Sequence, residues 1–137
     1  MADKKTLTFS IMDGPYEQGR TLTVLRLLDI AARRGHDIYV FAYEGAVSLP
    51  FALQEKHPNK VHGRNAEEED HPLPREWIAA LMRTATENGG SIDWINCGLC
   101  VDERGVGESI EGCRRGTPMD LWTCAETSDN TLIVGTR

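Results

Sequence analysis

The sequence lacks the long apolar runs, basic tracts and nucleotide motifs that mark several large classes of protein. Its longest apolar run, residues 77–82, is far too short to cross a bilayer. The N-terminal residues carry no apolar signal core, so we expect neither export nor a membrane location. A formal net charge of −6, without any Lys/Arg run, argues against nucleic-acid binding. No phosphate-loop lysine motif, Gly-x-Gly-x-x-Gly fingerprint or Gly-x-Ser-x-Gly elbow occurs, so we expect no nucleotide or other cofactor.

The composition is that of an ordinary globular protein. With 137 residues, 40% of them apolar and 26% charged, the chain is long enough to bury a core and is predicted to form one domain over residues 1–137. It contains four cysteines. Without an export signal we expect a cytoplasmic location, where thiols stay reduced, so the question is whether these cysteines react or bind metal.

Hydrophobic periodicity predicts strands alternating with helices. The predicted strands are Thr6–Met12, Ile38–Ala42, Ser91–Asn96 and Thr131–Val134, with a further short strand near Val106–Cys113. The predicted helices are Thr21–Arg34, a short one over Ala46–Gln54, one that begins at Pro74, and one that Thr117 caps ahead of Pro118. This order predicts a flavodoxin-like α/β fold: a doubly wound, mostly parallel sheet of four to five strands with helices on both faces.

The segment of about residues 55–74 is predicted to be a long surface loop. It holds three histidines, His57, His62 and His71, and the acidic run Glu67–Asp70. The histidine spacing differs from the i, i+4 placement of metal ligands on a helix, so we interpret these side chains as solvated. The acidic run is most simply a hydrated surface.

A cysteine pair follows the third predicted strand. In an open parallel sheet ligands bind beyond the carboxyl ends of the strands, where residues 13–19, 43–47 and 97–105 leave the sheet. Cys97 is therefore expected at this edge, exposed, with the backbone N–H groups of the next turn favouring its thiolate. Arg104 would add positive charge if it folded back, and the acidic residues before it would oppose this.

Three interpretations of Cys97 and Cys100 remain open from the residues alone. They are a reactive pair, a buried structural pair, or part of a zinc site completed by a loop histidine. Cys113 is either a second reactive thiol, with its pKa lowered by the two arginines that follow it, or an exposed bystander. Cys124 is predicted to lie in the core, because it falls near Leu121 on the last helix.

The segment Cys97-Gly98-Leu99-Cys100-Val101-Asp102-Glu103-Arg104-Gly105-Val106 resembles the cysteine-to-Arg-Gly segment of the DsrE/DsrF-like sulfur-relay family, which includes the DsrE and TusD subunits. The likeness extends to the pieces Ala31–Phe41, Tyr43–Val47, Pro74–Trp77 and Thr127–Leu132, in that order. It implies a persulfide carrier, in which Cys97 accepts sulfane sulfur from a donor protein and passes it to an acceptor. It also implies a homo- or hetero-oligomeric assembly, a trimer or a hexamer.

The chain departs from that pattern at Cys100, where the DsrE and TusD subunits commonly have another residue. The extra thiol would allow a Cys97–Cys100 disulfide to form with release of sulfide. Cys113 would be a second auxiliary thiol. The alternatives are therefore a dithiol–disulfide oxidoreductase that uses the pair, or a non-catalytic structural subunit of a sulfur-relay complex. Metal is not expected.

Overall fold

A computed structural model of the chain describes residues 3–58, 60–68 and 71–135. Its elements run in the order β1 (Thr6–Ile11), α1 (Gly19–Arg33), β2 (Asp37–Ala42), a 3₁₀ turn (Glu44–Ser48), α2 (Pro74–Glu87), β3 (Ser91–Cys97), α3 (Gly98–Arg104), β4 (Cys113–Gly116), α4 (Pro118–Thr127) and β5 (Asn130–Val134). Among these residues no helix has the length and apolar character needed to cross a membrane.

The five strands form one parallel sheet in the order β4-β3-β2-β1-β5. Helices α1 and α2 pack against one face, since their apolar side chains share the main core cluster with those of β1, β2 and β3. Helix α4 covers the other face, where Cys124 packs with Phe41 and Ile95. The predicted flavodoxin-like α/β fold, with helices on both faces of a parallel sheet, is confirmed.

The apolar pattern of each element explains its place in these layers. In α1 the residues at helical spacing, Val24, Leu25 and Leu28, are at most 1% exposed, because they face the sheet. In β2 the run from Val40 to Ala42 is buried throughout, as a central parallel strand covered on both faces requires. Helix α4 begins as predicted: Thr117 caps it, and the Asp120 carboxylate accepts a hydrogen bond from the Thr117 N–H at 2.8 Å.

Two sequence predictions are corrected. The predicted helix over Ala46–Gln54 is only the short 3₁₀ turn. The further short strand, predicted near Val106–Cys113, is β4 and covers Cys113–Gly116. Both differences have one cause: the segment before β4 pairs with the chain that follows the 3₁₀ turn, through an isolated antiparallel bridge between Phe51 and Ser109. These backbone groups are thereby satisfied outside the sheet.

The predicted long loop contains no helix and no strand among its described residues, which exclude 59, 69 and 70. Residues 69 and 70, the second half of the predicted acidic run, thus lie outside the described residues. Where the loop returns to the domain, the Tyr16 hydroxyl donates to the carbonyl oxygen of Pro72 at 2.5 Å, and its ring lies 4.7 Å from that of His71. The end of the loop therefore packs beside the connection between β1 and α1.

Candidate functional site

The two cysteines of the Cys-x-x-Cys segment adjoin at the carboxyl edge of the sheet. Cys97 is the last residue of β3, and Cys100 lies in the first turn of α3. The strand ends here because Gly98 opens the helix immediately. The two thiols lie close enough that the Cys97 side chain raises the pKa of Cys100. The edge location expected from the sequence therefore agrees with the geometry.

The exposure expected for this pair is corrected. Cys97 is 6% exposed and Cys100 9%, and both belong to the apolar cluster that also contains Ile95, Val101 and Cys124. The cause is the side of β3 on which Cys97 projects: it shares that side with Ile95, two residues earlier, and side chains of α3 and α4 complete the cluster there. The thiols therefore keep only a narrow opening to solvent in a single chain.

Cys100 contacts the backbone of the β2 edge. The Glu44 N–H donates a hydrogen bond to its Sγ at 3.2 Å. Glu44 holds this position with φ of 50°, in the left-handed region that non-glycine residues seldom adopt. Burial raises the pKa of Cys100, the Glu44 N–H lowers it, and the Cys97 thiol raises it, with a net increase. Cys100 is thus held mainly as the thiol, and the Glu44 N–H is placed to donate to its sulfur if the thiolate forms.

Arg104 does not turn back toward Cys97. Its guanidinium is 2.5 Å from the Glu44 carboxylate, and it lies farther, 3.7 Å, from that of Glu103. Its positive charge is therefore directed to the same residue that contacts Cys100 through the backbone. The structure places Arg104 beside the pair rather than at the Cys97 sulfur.

Cys113 differs from both interpretations of its sequence position. It begins β4 opposite Trp94 and packs against the main core cluster. Burial, with a smaller contribution from the charge of Asp93, raises its pKa to about 12, so the expected lowering is wrong. The cause is that Arg114 is directed to Asp93, donating two hydrogen bonds of 3.0 and 3.1 Å to its carboxylate. Cys124 is buried as predicted, at 7% exposure.

Arg115 was expected to lie beside Cys113, but it lies beside the Cys97–Cys100 segment. Its guanidinium donates to the Gly98 carbonyl oxygen at 3.1 Å and to the Asp102 carboxylate at 2.9 Å. A Cβ on Gly98 would lie 3.2 Å from the same Nη2 atom, so the absent side chain allows this close approach. Asp102 and the charge of Cys97 both raise the pKa of Arg115. Successive side chains of a strand point to opposite faces of the sheet, and this alternation could have indicated that Arg114 and Arg115 have different partners.

A cavity of about 690 Å³ opens at the same edge. It is lined by Met12, Asp13, Glu17, Tyr43, Glu44, Gly45, Arg104 and Gly135. These residues come from the ends of β1, β2 and β5 and from α3. The segments that the sequence predicted to meet at this edge therefore do so around a shared space.

The residues needed for the zinc alternative do not converge. Within residues 3–58, 60–68 and 71–135, no group of three or more His, Cys, Asp or Glu side chains is placed to hold a metal ion. His57 and His62 are exposed, and His71 is half-buried beside Tyr16. Cys113 faces the main core, away from the cluster of Cys97 and Cys100.

The parallel sheet with a cysteine pair at its carboxyl edge defines an α/β protein whose candidate chemistry is that of thiols. The model of the DsrE/DsrF-like family matches residues 5–132, and the chain belongs to this family. The family is generally related to sulfur relay, in which its members act with partners.

Similar proteins span nearly the whole chain. The uncharacterized protein MK0008 of Methanopyrus kandleri is 29% identical over 129 residues, which cover 93% of this chain and 92% of that protein. The uncharacterized protein MJ0989 of Methanocaldococcus jannaschii is 28% identical over 127 residues, which cover 91% and 96%. The crystal structure of the ychN protein from E. coli has a TM-score of 0.71 at 18% identity and covers 96% of this chain and 99% of that one. This structural likeness establishes the shared fold.

Proposed function

We propose that this protein is a cytoplasmic sulfur carrier, acting as a sulfurtransferase, that holds sulfane sulfur as a persulfide on Cys97 and passes it to an acceptor thiol. The observation that carries the proposal is that Cys97 and Cys100 lie in one cluster at the carboxyl edge of the sheet, with Arg115 bonded to the intervening Gly98 and the Glu44 N–H bonded to Cys100. Fixed positive charge and an N–H donor stabilise the sulfur anions that such exchange requires. The family membership agrees with this chemistry.

The proposed reaction is sulfur exchange without net oxidation. The Cys97 thiolate attacks the outer sulfur of a donor persulfide, a new S–S bond forms, and the donor leaves as a thiolate. An acceptor thiolate then attacks the outer sulfur of Cys97–S–SH, and Cys97 is regenerated. Cys100 and Arg104 are proposed as auxiliary residues, Cys100 because it lies in the same cluster as Cys97, and Arg104 because it pairs with the Glu44 carboxylate.

The test is intact mass spectrometry after incubation with glutathione persulfide. The wild type is expected to gain the mass of one sulfur atom, and Cys97→Ser is expected to gain none. Cys124→Ser is the matched control, because Cys124 is a buried thiol of the same apolar cluster. If Cys97→Ser gains sulfur as the wild type does, while circular dichroism shows both folded, the assignment to Cys97 is wrong.

A dithiol–disulfide oxidoreductase is the second candidate, favoured by the placement of the two thiols in one cluster, near enough for Cys97 to raise the pKa of Cys100. Its step would join Cys97–S–SH and the Cys100 thiolate into a disulfide, with the outer sulfur leaving as hydrosulfide. This reduces the sulfane sulfur while oxidising the two cysteines. Sulfide released in equal amount to the disulfide formed would support this candidate, whereas transfer of the labelled sulfur to an acceptor thiol would support the carrier.

A non-catalytic structural subunit is the third candidate, favoured by the burial of both cysteines. N-ethylmaleimide distinguishes it from the others, because alkylation requires an accessible thiolate. Modification of Cys97 in the native protein supports a carrier. Modification only after unfolding in urea supports the structural role.

We also propose that the protein works as a homo- or hetero-oligomer, a trimer or hexamer, of chains folded as one domain. Large apolar side chains are exposed on α3, on α4 and on the sheet face that α4 covers: Leu99, Met119, Trp122 and Ile133, each at least 60% exposed. Such surfaces commonly mark protein–protein contacts. Light scattering should give a mass of several chains, and Trp122→Arg should reduce it to that of one.

A further inference from the structure

The cavity of about 690 Å³ lies where the order of the sheet reverses. From β1 the chain proceeds outward through β2, β3 and β4, whereas β5 is added on the other side of β1. Met12 and Asp13 from the end of β1 and Gly135 from the end of β5 line the cavity at this point. Crevices at the reversal of strand order are where open parallel sheets bind small ligands.

The cavity and the cysteine pair share a wall. Tyr43 lines the cavity and packs against the apolar cluster that contains Cys97 and Cys100. Glu44 also lines the cavity, and its N–H is bonded to the Cys100 sulfur. A ligand in this space therefore lies one backbone segment away from the thiols.

Two glycines bring the walls of the cavity close together. A Cβ on Gly45 would lie 3.1 Å from the backbone nitrogen of Gly14, so the connections after β1 and β2 approach each other closely. The same Gly14 N–H donates to the Glu17 carboxylate at 2.8 Å. The position of the Glu17 carboxylate in the cavity wall is thereby defined by a backbone contact.

The lining is acidic. It carries the carboxylates of Asp13, Glu17 and Glu44 against the single guanidinium of Arg104. Asp13 is neutralised by Arg20 at 2.5 Å, and Glu44 by Arg104 at 2.5 Å. Glu17, by contrast, pairs with no cation within the part of the chain that the structure describes, so one negative charge is left to attract a ligand.

From these observations we propose that the cavity binds a small aminothiol, with its ammonium group at Glu17 and its sulfur toward Cys100. An unpaired carboxylate in the lining favours a cation over an anion, and a thiol is the group that exchanges with cysteines such as the neighbouring pair. The role as sulfur acceptor rests on the proposed function. Because Tyr43 and Glu44 separate the cavity from the cysteines, that step requires this segment to move aside, and the ligand thiolate then attacks the outer sulfur of the protein persulfide. The protein–sulfur bond breaks, the ligand leaves as a persulfide, and a cysteine thiolate remains.

Binding is tested on the unloaded protein, so that it does not depend on sulfur transfer. Cysteamine, 2-mercaptoethanol and 3-mercaptopropionate, which carry an ammonium, a hydroxyl and a carboxylate, are titrated while the amide resonances of Gly14, Gly45 and Gly135 are followed by NMR. Cysteamine should shift these resonances saturably and bind more tightly than the other two. In Glu17→Gln, which keeps an acceptor for the Gly14 N–H, the preference over 2-mercaptoethanol should fall by roughly two- to fivefold, as expected for one exposed charge.

Glu87→Gln is the matched control, because it removes the same charge at the end of α2, which leads into the start rather than the end of β3. It should leave the preference unchanged. An undiminished preference in Glu17→Gln, or shifts of these glycines that do not saturate, would overturn the site. Loading of Cys97 by glutathione persulfide, measured without any added thiol, decides the proposed function separately.

Discussion

Cys113 should make the protein sensitive to alkaline pH. Its thiol has a pKa of about 12 in the folded protein, compared with 9.0 for an ordinary cysteine, mainly because it is buried against the core beside β3. A raised pKa means that the folded chain holds its proton more tightly than the unfolded chain does. The stabilisation is complete below pH 9 and is lost as the pH rises through 12.

The size of this effect follows from the two pKa values. Between pH 8 and pH 11 the unfolded thiol ionises while the folded thiol does not, which lowers the free energy of unfolding by about 3 kcal/mol. In Cys113→Ala this contribution is absent. The variant starts less stable at pH 8 because side-chain packing is removed, and the difference between the two proteins should shrink by the same amount by pH 11.

The assay is urea unfolding at pH 8, 9, 10 and 11 under reducing conditions. Fluorescence of Trp94 is a suitable probe, because this side chain is fully buried and lies opposite Cys113 in the sheet. Other groups, including Cys100 and Cys124, also have raised pKa values, but they titrate in both proteins and cancel in the difference. If wild type and Cys113→Ala lose stability in parallel from pH 8 to 11, the assignment of a strongly raised pKa to Cys113 is wrong.

Two substitutions test the architecture around the site. Gly98→Ala should displace the Arg115 guanidinium and slow sulfur loading of Cys97. It should change the free energy of unfolding by less than about 1 kcal/mol, since a helix gains from alanine roughly what an exposed contact loses. Gly19→Ala is its control, because Gly19 also begins a helix and a Cβ there meets nothing within 4 Å; equal loading by both variants would refute the role of Arg115. Asn96→Ala should cost about 2–4 kcal/mol in urea unfolding, because it leaves the Val47 carbonyl and a buried indole N–H without their partner. A loss below about 0.5 kcal/mol would show that water replaces the amide.

The corrected exposure of the cysteines bears on how sulfur would reach them. Cys97 is 6% exposed, so the proposed persulfide on it would be shielded from bulk solvent and from small reductants. Access then depends on a partner surface or on the shared wall formed by Tyr43 and Glu44. The proposed oligomer would provide the partner surface, and the proposed aminothiol cavity lies behind the shared wall. Light scattering tests the first route, and the thiol titrations test the second.

The fold could be predicted largely from local patterns in the sequence. The apolar spacing of α1, the continuous apolar run of β2 and the cap at Thr117 each act within about one helical turn or one strand. Such patterns are visible in the sequence without knowledge of any tertiary contact, and they suffice to predict the order of strands and helices along the chain. The position of Cys97 at the end of a parallel strand followed from this order alone, because parallel strands all end at one edge.

Only the tertiary structure decided the surroundings of the thiols. That Cys124 of α4 joins the cluster of Cys97, that Arg115 rather than Arg104 approaches Gly98, and that Glu44 bonds to Cys100 all depend on residues far apart in the chain. The pairing of Phe51 with Ser109 also joins distant residues. It explains why the short strand predicted near Val106–Cys113 is instead β4, Cys113–Gly116. Local periodicity assigns a side chain to a face of its own element. Which other element meets that face depends on packing and hydrogen bonding summed over the whole domain.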